Sequence, residues 1–231
     1  MIKNIKHTTL IIVFISLLSS CKQEGSMEST TAHEPTVQHH NEPLPSWNEG
    51  ETKQSIIKYV ESVTDESSAD FIPESDRIAT FDNDGTLWSE QPAYFQLFFA
   101  MDRIKQMASD HPEWENQEPF RSVLANDLEG LSKQGLEGLL KVVMVSHSGM
   151  ESKEFKTLVK EWSASAMHPT KKNLYKDLVY QPMLELLAHL NEKGFKVYIV
   201  SGGGTDFMRA FGTEIYGIPA EHIIGSRIAT E

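Results

Sequence analysis

The chain has 231 residues, with 33 acidic and 21 basic side chains, a formal net charge of −12 at pH 7, and one cysteine. This length is enough for one α/β domain with an insertion, and a single cysteine excludes an internal disulfide. The sequence lacks the basic stripe of a nucleic-acid-binding protein, so no nucleic-acid partner is expected.

The first 20 residues are predicted to be a lipoprotein signal peptide. Lys3 and Lys6 precede an apolar stretch at residues 10–18, which is too short to span a membrane comfortably. Leu18-Ser-Ser-Cys21 resembles a bacterial lipoprotein signal, in which Cys21 becomes the lipidated first residue. An ordinary cleaved leader with an incidental cysteine is the alternative. We expect a lipid anchor at Cys21 that holds the protein at a membrane of the bacterial cell envelope, facing the periplasm or the exterior.

Residues 21–50 are predicted to form a flexible tether. Glu, Ser, Thr, His, Asn and Pro dominate there, and almost nothing apolar is available for burial. The adjacent pair His39 and His40 has two interpretations, a metal site or solvated side chains, and solvated side chains are commoner in a polar linker. The folded part is predicted over residues 51–231, and it begins with an amphipathic helix whose apolar residues are Ile56, Ile57, Val60 and Val63.

Two aspartates follow the first predicted strand, residues 78–81. Asp82 and Asp84 are two apart, so strand alternation places both on one side at the strand end, where Gly85 lets the chain turn sharply. Two such carboxylates can divide labour, because one attacks or binds Mg²⁺ while the other transfers protons. A calcium loop fits poorly, because an EF-hand needs its glycine two residues later and a glutamate where Ala93 stands.

More than a hundred residues separate this strand from the next predicted one, residues 197–200. A right-handed crossover needs only about thirty residues, so the excess is an inserted module at about residues 89–176. Apolar residues recur there at intervals of three and four, at 94, 97, 98, 101 and 104; at 120, 123, 124, 128 and 131; at 136, 139, 140 and 143; and at 155, 158, 159 and 162. These stripes predict an all-helical cap.

The second predicted strand ends in a small hydroxyl and three glycines. A helix at residues 183–190 leads into this strand. Ser201 and Gly202 lie just before a predicted helix at residues 205–211, where backbone N–H groups suit an anion such as phosphate. A tight connection without a ligand is the alternative. A third strand is predicted over residues 222–229.

Together the two strand ends resemble the haloacid dehalogenase-like hydrolase superfamily. Phe81-Asp-Asn-Asp-Gly-Thr-Leu87 is similar to its first motif, and Lys196-Val-Tyr-Ile-Val-Ser201-Gly-Gly-Gly204 is similar to its second, in the form of the phosphoserine phosphatase-like branch. The resemblance implies an α/β fold with a doubly wound, Rossmann-like parallel sheet and an inserted helical cap. Closure of such a cap would exclude water and strengthen electrostatic interactions at the site.

The resemblance also implies a Mg²⁺-dependent phosphomonoester hydrolase acting on a small phosphorylated metabolite. In the family's mechanism, the residue matching Asp82 attacks phosphorus to form an aspartyl-phosphate. The residue matching Asp84 protonates the leaving oxygen and later activates water, and both aspartates are expected at the Mg²⁺ ion. Ser201, Gly202 and Thr86 are expected at the phosphate, although Thr86 has two further readings, orienting Asp82 or capping the turn.

The chain departs from the family pattern after the second motif. A lysine and further acidic residues are expected there, but Lys196 is the last lysine, and the later acidic residues are Asp206, Glu214, Glu221 and Glu231. Truncation of a longer phosphatase is favoured over lost turnover, because the missing strand would leave an open apolar edge. We expect weak or no catalysis from this chain. The alternative is a non-catalytic lipoprotein that binds a phosphorylated ligand or a partner protein.

Two side chains near the first motif have open roles. Glu90 is one residue closer to the first aspartate than the substrate-binding glutamate of phosphoserine phosphatases, and it either contacts an amine or faces solvent. Trp88 is expected to pack at the base of the cap rather than to stack on a substrate. The scattered histidines, His147 and His168 among them, are expected to be structural or exposed.

Overall fold

The computed structural model describes residues 42–228. The helices are α1 (Glu51–Thr64), α2 (Phe95–Met107), α3 (Phe120–Leu124), α4 (Leu128–Lys133), α5 (Gly135–His147), α6 (Ser152–Ser165), α7 (Gln181–Glu192), α8 (Thr205–Arg209) and α9 (Gly212–Tyr216). The strands are β1 (Ile78–Phe81), β2 (Lys196–Gly204) and β3 (Ile223–Ser226). Short 3₁₀ segments lie at Glu74–Asp76, Ala108–Asp110, Pro112–Asn116, Tyr175–Asp177 and Ala220–His222.

The three strands form a parallel sheet in the order β1-β2-β3. Thr80 pairs with Tyr198 and Phe81 with Ile199, so the end of β1 lies beside the part of β2 that precedes the glycines, and Ile199 pairs in turn with Ile223 of β3. Adjacent parallel strands need crossovers, which the cap with α7 and then α8 with α9 provide. The predicted α/β class, with its Rossmann-like parallel sheet and inserted all-helical cap, is confirmed.

Burial alternates along the strands, as expected for a sheet with one covered face. Val197, Ile199 and Ile223 are at most 2% exposed and belong to the core. By contrast, Val200 and Ile224 are each 48% exposed. Within the described residues, the second face of the sheet therefore remains accessible, and β1 pairs only with β2.

The segment between β1 and β2 is helical, but one predicted stripe is broken. The apolar positions from 120 to 131 suggested one continuous helix, whereas the structure has two short ones, α3 and α4. The break has a local cause: Asn126 adopts a left-handed φ of 56°, and Asp127 then caps α4 by accepting a hydrogen bond from Gly130 N at 2.8 Å.

The predicted tether extends too far towards the folded part. Leu44 is 1% exposed, and the indole N–H of Trp47 donates to the carbonyl of Pro182 on α7 at 2.8 Å. The amide of Ser46 donates to Glu185, also on α7, at 2.9 Å. The prediction failed because proline and polar residues surround two large apolar side chains, and composition alone does not show that those two are buried.

The strand boundaries differ slightly from the prediction. β2 continues through the glycines, because Gly204 pairs with Ser226 after an irregularity that begins at Val200. β3 is shorter than the predicted residues 222–229. Cys21 and the predicted signal peptide lie outside the described residues. No helix between residues 42 and 228 has the length and hydropathy of a membrane span.

Candidate active site

The aspartate loop, residues 82–90, turns back on itself directly after β1. Gly85 has a left-handed φ of 72°, and its amide donates to the carbonyl of Trp88 at 2.9 Å. A side chain at Gly85 would meet the Glu90 carboxyl carbon at 2.8 Å, so that carboxylate lies directly over the turn. The turn leaves Asp82 exposed and Asp84 half-buried.

Asn83 anchors this loop to the core. It is 1% exposed, and its carbonyl accepts a hydrogen bond from Leu87 N at 2.8 Å. Its side-chain oxygen accepts from the hydroxyl of Tyr216 on α9 at 3.0 Å. Burial, together with the charge of Asp84, raises the pKa of Tyr216 well above its ordinary value, so the hydroxyl stays protonated and remains a donor.

Trp88 holds Asp84 from four residues along the chain. Its indole N–H donates to Asp84 Oδ1 at 2.8 Å. The ring is 1% exposed and is packed between Phe95 and Phe211, with centroid distances of 4.5 and 4.4 Å. Trp88 does pack at the base of the cap, as predicted, and it also binds the second aspartate, which the sequence analysis did not anticipate.

The glycine segment, residues 201–204, lies beside this loop at the end of β2. Ser201 Oγ accepts a hydrogen bond from Gly203 N at 3.2 Å. A Cβ atom at Gly203 would lie 3.6 Å from Asp84 Oδ2 and 3.7 Å from Ser201 Oγ. Both oxygens therefore border the same position beside this glycine. A side chain at Gly202 would meet nothing within 4 Å, so open space adjoins the segment there.

The two loops that the sequence motifs predicted are thus brought together at the carboxyl ends of neighbouring parallel strands. A family model of haloacid dehalogenase-like hydrolases matches residues 79–231, which contain both loops. The chain belongs to this family.

Two solved structures are similar to this haloacid dehalogenase-like hydrolase. A phosphoserine phosphohydrolase-like protein from Francisella tularensis subsp. tularensis SCHU S4 has 21% sequence identity and a TM-score of 0.36, over 64% of this chain and 57% of that one. A conserved functionally unknown protein from Anaerococcus prevotii DSM 20548 has 15% identity and a TM-score of 0.41, over 78% and 68%. This chain therefore spans little more than half of the first structure. A comparison with curated protein sequences found no match.

The surroundings of Asp84 raise the pKa of this second aspartate above its ordinary value. Burial raises the pKa of Asp84 and outweighs the hydrogen bond from Trp88, which lowers it. The negative charges of Asp82 and Glu90 raise it further. Three carboxylates therefore influence one another at the end of β1. A carboxyl group whose pKa is raised by burial is suited to donate a proton.

The donor set fits a hard divalent cation. Asp82 and Asp84 offer carboxylate oxygens, and Mg²⁺ in proteins is commonly held by one or two carboxylates, with waters and substrate phosphate oxygens completing the shell. Burial is the main cause of the raised pKa of Asp84, and the charges of Asp82 and Glu90 add to it; a bound cation would offset that repulsion. Between residues 42 and 228, no cluster of three or more acidic, histidine or cysteine side chains is arranged to hold a metal by itself.

Thr86 and Arg209 make their hydrogen bonds to backbone carbonyls rather than to the two aspartates. The amide of Thr86 donates to the carbonyl of Asn83 at 3.2 Å, and its hydroxyl makes no hydrogen bond to Asp82 within the described part of the chain. Asp82 instead accepts a hydrogen bond from the amide of Asn83 at 2.8 Å. Arg209 donates to the carbonyl of Ile223 at 3.0 and 3.1 Å and so ties α8 to β3.

Several residues at the contact between cap and core were missed by the sequence analysis. Gln96 of α2 accepts a hydrogen bond from Gly204 N at 2.8 Å. Ser152 of α6 donates to Asp206 at 2.7 Å, and Lys156 Nζ lies 3.7 Å from the same carboxylate. These are ordinary polar side chains on amphipathic helices, so no local sequence signal distinguishes them from solvent-exposed residues.

Proposed function

We propose that this hydrolase is a Mg²⁺-dependent phosphomonoesterase that acts on a small phosphorylated metabolite through an aspartyl-phosphate. The proposal rests on the position beside Gly203. Asp84 Oδ2 and Ser201 Oγ lie 3.6 and 3.7 Å from where a Cβ atom of that residue would be. A proton donor and a hydroxyl donor at one position suit a phosphoryl group with a leaving oxygen.

Asp82 is the nucleophile in this proposal. It is exposed at the strand end, and one of its oxygens is fixed by the amide of Asn83 at 2.8 Å. Its carboxylate oxygen forms a bond to phosphorus as the bond between phosphorus and the ester oxygen breaks. A carboxylate nucleophile divides one difficult displacement into two easier ones.

Asp84 is the proton donor, and then the base. Burial raises its pKa, so the carboxyl keeps its proton to a higher pH than an ordinary aspartate does, and in this proposal it gives that proton to the departing ester oxygen. The resulting carboxylate then accepts a proton from the water that attacks the phosphoryl group of the aspartyl-phosphate. That attack releases inorganic phosphate and returns Asp82 as a free carboxylate, while Asp84 is protonated again.

Ser201 and Gly202 are the phosphate-binding residues. The hydroxyl of Ser201 can donate to a phosphoryl oxygen, and the open space beside Gly202 lets a ligand approach the backbone closely. Asp82 and Asp84 would hold Mg²⁺, which neutralises charge on the phosphoryl oxygens when bound.

The test separates covalent competence from turnover. The purified chain is titrated with Mg²⁺ and beryllium fluoride, an aspartyl-phosphate mimic, and followed by ¹⁹F NMR. We expect an adduct that Asp82→Asn abolishes and that the matched surface variant Asp110→Asn retains. Hydrolysis of p-nitrophenyl phosphate is measured in parallel, and Asp82→Asn should abolish any turnover that the wild-type chain shows, because it removes the nucleophile. Turnover that survives Asp82→Asn would rule out this nucleophile.

Binding of a phosphorylated ligand without turnover is the second candidate function, favoured by the hydroxyl of Ser201 and the open space beside Gly202, which suffice for binding. Phosphate binding to the wild-type chain, with no adduct and no hydrolysis, would support it.

In either case we propose that the protein is anchored by lipid at Cys21 in the bacterial cell envelope. Mass spectrometry of the mature amino terminus tests the anchor, and Cys21→Ala should release the protein from the detergent phase.

A further inference from the structure

A chain of hydrogen bonds runs from the glycine segment into the middle of the cap. The amide of Gly204 donates to Gln96 Oε1 at 2.8 Å. Gln96 Nε2 lies 3.4 Å from Nε2 of His147 on α5. On the other side of the ring, His147 Nδ1 lies 2.6 Å from the carbonyl of Val143 and 2.9 Å from Ser146 Oγ. The backbone of the proposed phosphate site is therefore connected to a histidine ring through one glutamine.

The donors and acceptors in this chain determine one another. A carbonyl can only accept, so His147 Nδ1 carries the proton, and Nε2 of the neutral ring is an acceptor. The amide nitrogen of Gln96 is then the donor to His147, which leaves its oxygen for Gly204. Every group in the chain is satisfied only in this arrangement, with His147 neutral.

The glutamine lies tightly against the glycine backbone. A side chain at Gly204 would meet Gln96 Nε2 at 2.6 Å and Oε1 at 3.1 Å. Real carbon atoms do not approach that closely, so only glycine allows Gln96 this position. The contact is thus specific to residue 204, which lies two residues after Gly202 of the proposed phosphate site.

The surroundings of His147 favour the neutral ring. The ring stacks on Phe155 of α6 at 4.1 Å and meets Phe99 of α2 edge-on at 6.3 Å. Burial lowers the pKa of His147, while the Val143 carbonyl and the charge of Asp206 oppose that shift. Asp206 of α8 is the charged group that acts on the ring, and its carboxylate is shared with Lys156 of α6 at 3.7 Å.

We propose that Gln96 is a positioning residue that fixes the glycine segment while His147 is neutral and releases it when His147 is protonated. Protonation places a hydrogen on Nε2, directly opposite the hydrogens of the Gln96 amide, so the glutamine must turn and Gly204 loses its acceptor. The inference rests on the proposed function only for the identity of the ligand. The coupling between Gly204 and His147 is independent of it.

The test measures the Gly204 amide directly. Imidazole ¹⁵N shifts of the purified chain report the tautomer and titration of His147, and hydrogen exchange gives the protection factor of the Gly204 amide at each pH. We expect the Nδ1-protonated tautomer at neutral pH, and Gly204 protection that falls with the same midpoint as His147 protonation. Gln96→Ala should lower that protection about fivefold at neutral pH, the effect of one net hydrogen bond.

Two histidine variants make the result decisive. His147→Gln retains a neutral side chain and should remove the pH dependence of Gly204 protection. His189→Gln replaces another buried histidine, on α7, and should leave that dependence unchanged. The proposal is overturned if Gln96→Ala leaves the protection factor of the Gly204 amide unchanged. It is also overturned if that protection changes with pH at a different midpoint from His147 protonation. No phosphate ester enters these measurements, so a chain without hydrolase activity still decides the question.

Discussion

The indole N–H of Trp88 and the carboxylate of Asp84 form a hydrogen bond of 2.8 Å across a single turn of the aspartate loop. The ring that makes this bond is itself fixed between Phe95 at the start of the cap and Phe211 after α8. The orientation of the proposed proton donor therefore depends on how the cap and the core pack around one tryptophan.

Trp88→Phe keeps an aromatic ring in that position and removes only the donor. We expect the pKa of Asp84 to rise further, because burial then acts without the hydrogen bond that opposes it. The free energy of unfolding at pH 7 should fall by about 1–3 kcal/mol, the cost of an unpaired buried acceptor. A ¹³C titration of the Asp84 carboxyl group measures the first effect and urea unfolding the second.

Trp114→Phe is the matched control for this change. Trp114 is 5% exposed and stacks on His111 and Phe120 within the cap, remote in sequence from the aspartate loop. It should leave the Asp84 titration unchanged. An Asp84 midpoint that stays constant in Trp88→Phe would show that the indole does not stabilise the carboxylate.

Asp84→Asn is expected to stabilise the folded chain at neutral pH. Since the folded state raises the pKa of Asp84, it binds that proton more tightly than the unfolded state, so the ionised form opposes folding at pH 7. The amide keeps an acceptor for Trp88 and has no charge. We expect a gain of about 0.5–2 kcal/mol, typical of relieving a destabilised functional site.

The gain from Asp84→Asn should depend on pH in one direction. Below the ordinary aspartate pKa of 3.8, both states hold the proton, so the advantage of asparagine shrinks as the pH is lowered towards that value. Urea unfolding across this range measures the trend. Asp110→Asn, at an exposed position, serves as the control. Equal stability of Asp84→Asn and wild type at pH 7 would contradict the prediction.

The strands and the two loops could be predicted from the sequence because their signals are local. Apolar runs ending in Asp82-Asn-Asp84-Gly85 and in Ser201-Gly202 mark strand ends, and adjacent parallel strands bring such ends together. The cap helices followed from intervals of three and four, except where Asn126 interrupts the stripe and starts a new helix. Local patterns thus identified the elements and the residues that end them.

The supporting contacts could not be predicted because they arise from tertiary packing. Gln96 and Ser152 are polar residues at the edges of amphipathic helices, and only the docking of the cap brings them to Gly204 and Asp206. The tether prediction failed for the same reason. Leu44 is one apolar residue in a polar segment, yet it is 1% exposed and belongs to the core, and nearby Trp47 donates to the Pro182 carbonyl on α7.

The buried histidines predict how stability depends on pH. Burial lowers the pKa of His147, His168 and His189 below the ordinary value of 6.5. The unfolded chain therefore binds more protons than the folded chain below that pH, so the stabilising contribution is complete above 6.5 and is lost as the pH falls through it. Below pH 6.5, each histidine that is neutral in the folded chain and protonated in the unfolded chain lowers the free energy of unfolding by about 1.4 kcal/mol per pH unit.

Urea unfolding between pH 7.5 and 5 measures this slope. His189→Gln should reduce it by the contribution of one proton, because a glutamine cannot titrate. A free energy of unfolding that stays constant or increases as the pH falls would mean that these histidines are protonated in the folded chain.

Leu44 provides the test of where the folded part begins. It is 1% exposed and adopts a left-handed φ of 60°, which is unusual for a leucine and is held by the burial of its side chain. The same segment is fixed to α7 by the hydrogen bond from Trp47 to the Pro182 carbonyl. Leu44→Ala should therefore lower the free energy of unfolding by about 2–5 kcal/mol, as for other buried leucines. Asn48→Ala, at an exposed position of the same segment, should change it by less than about 0.5 kcal/mol. Urea unfolding of both variants shows whether this segment is folded or is a flexible tether. In a tether, Leu44→Ala would change the free energy of unfolding as little as Asn48→Ala.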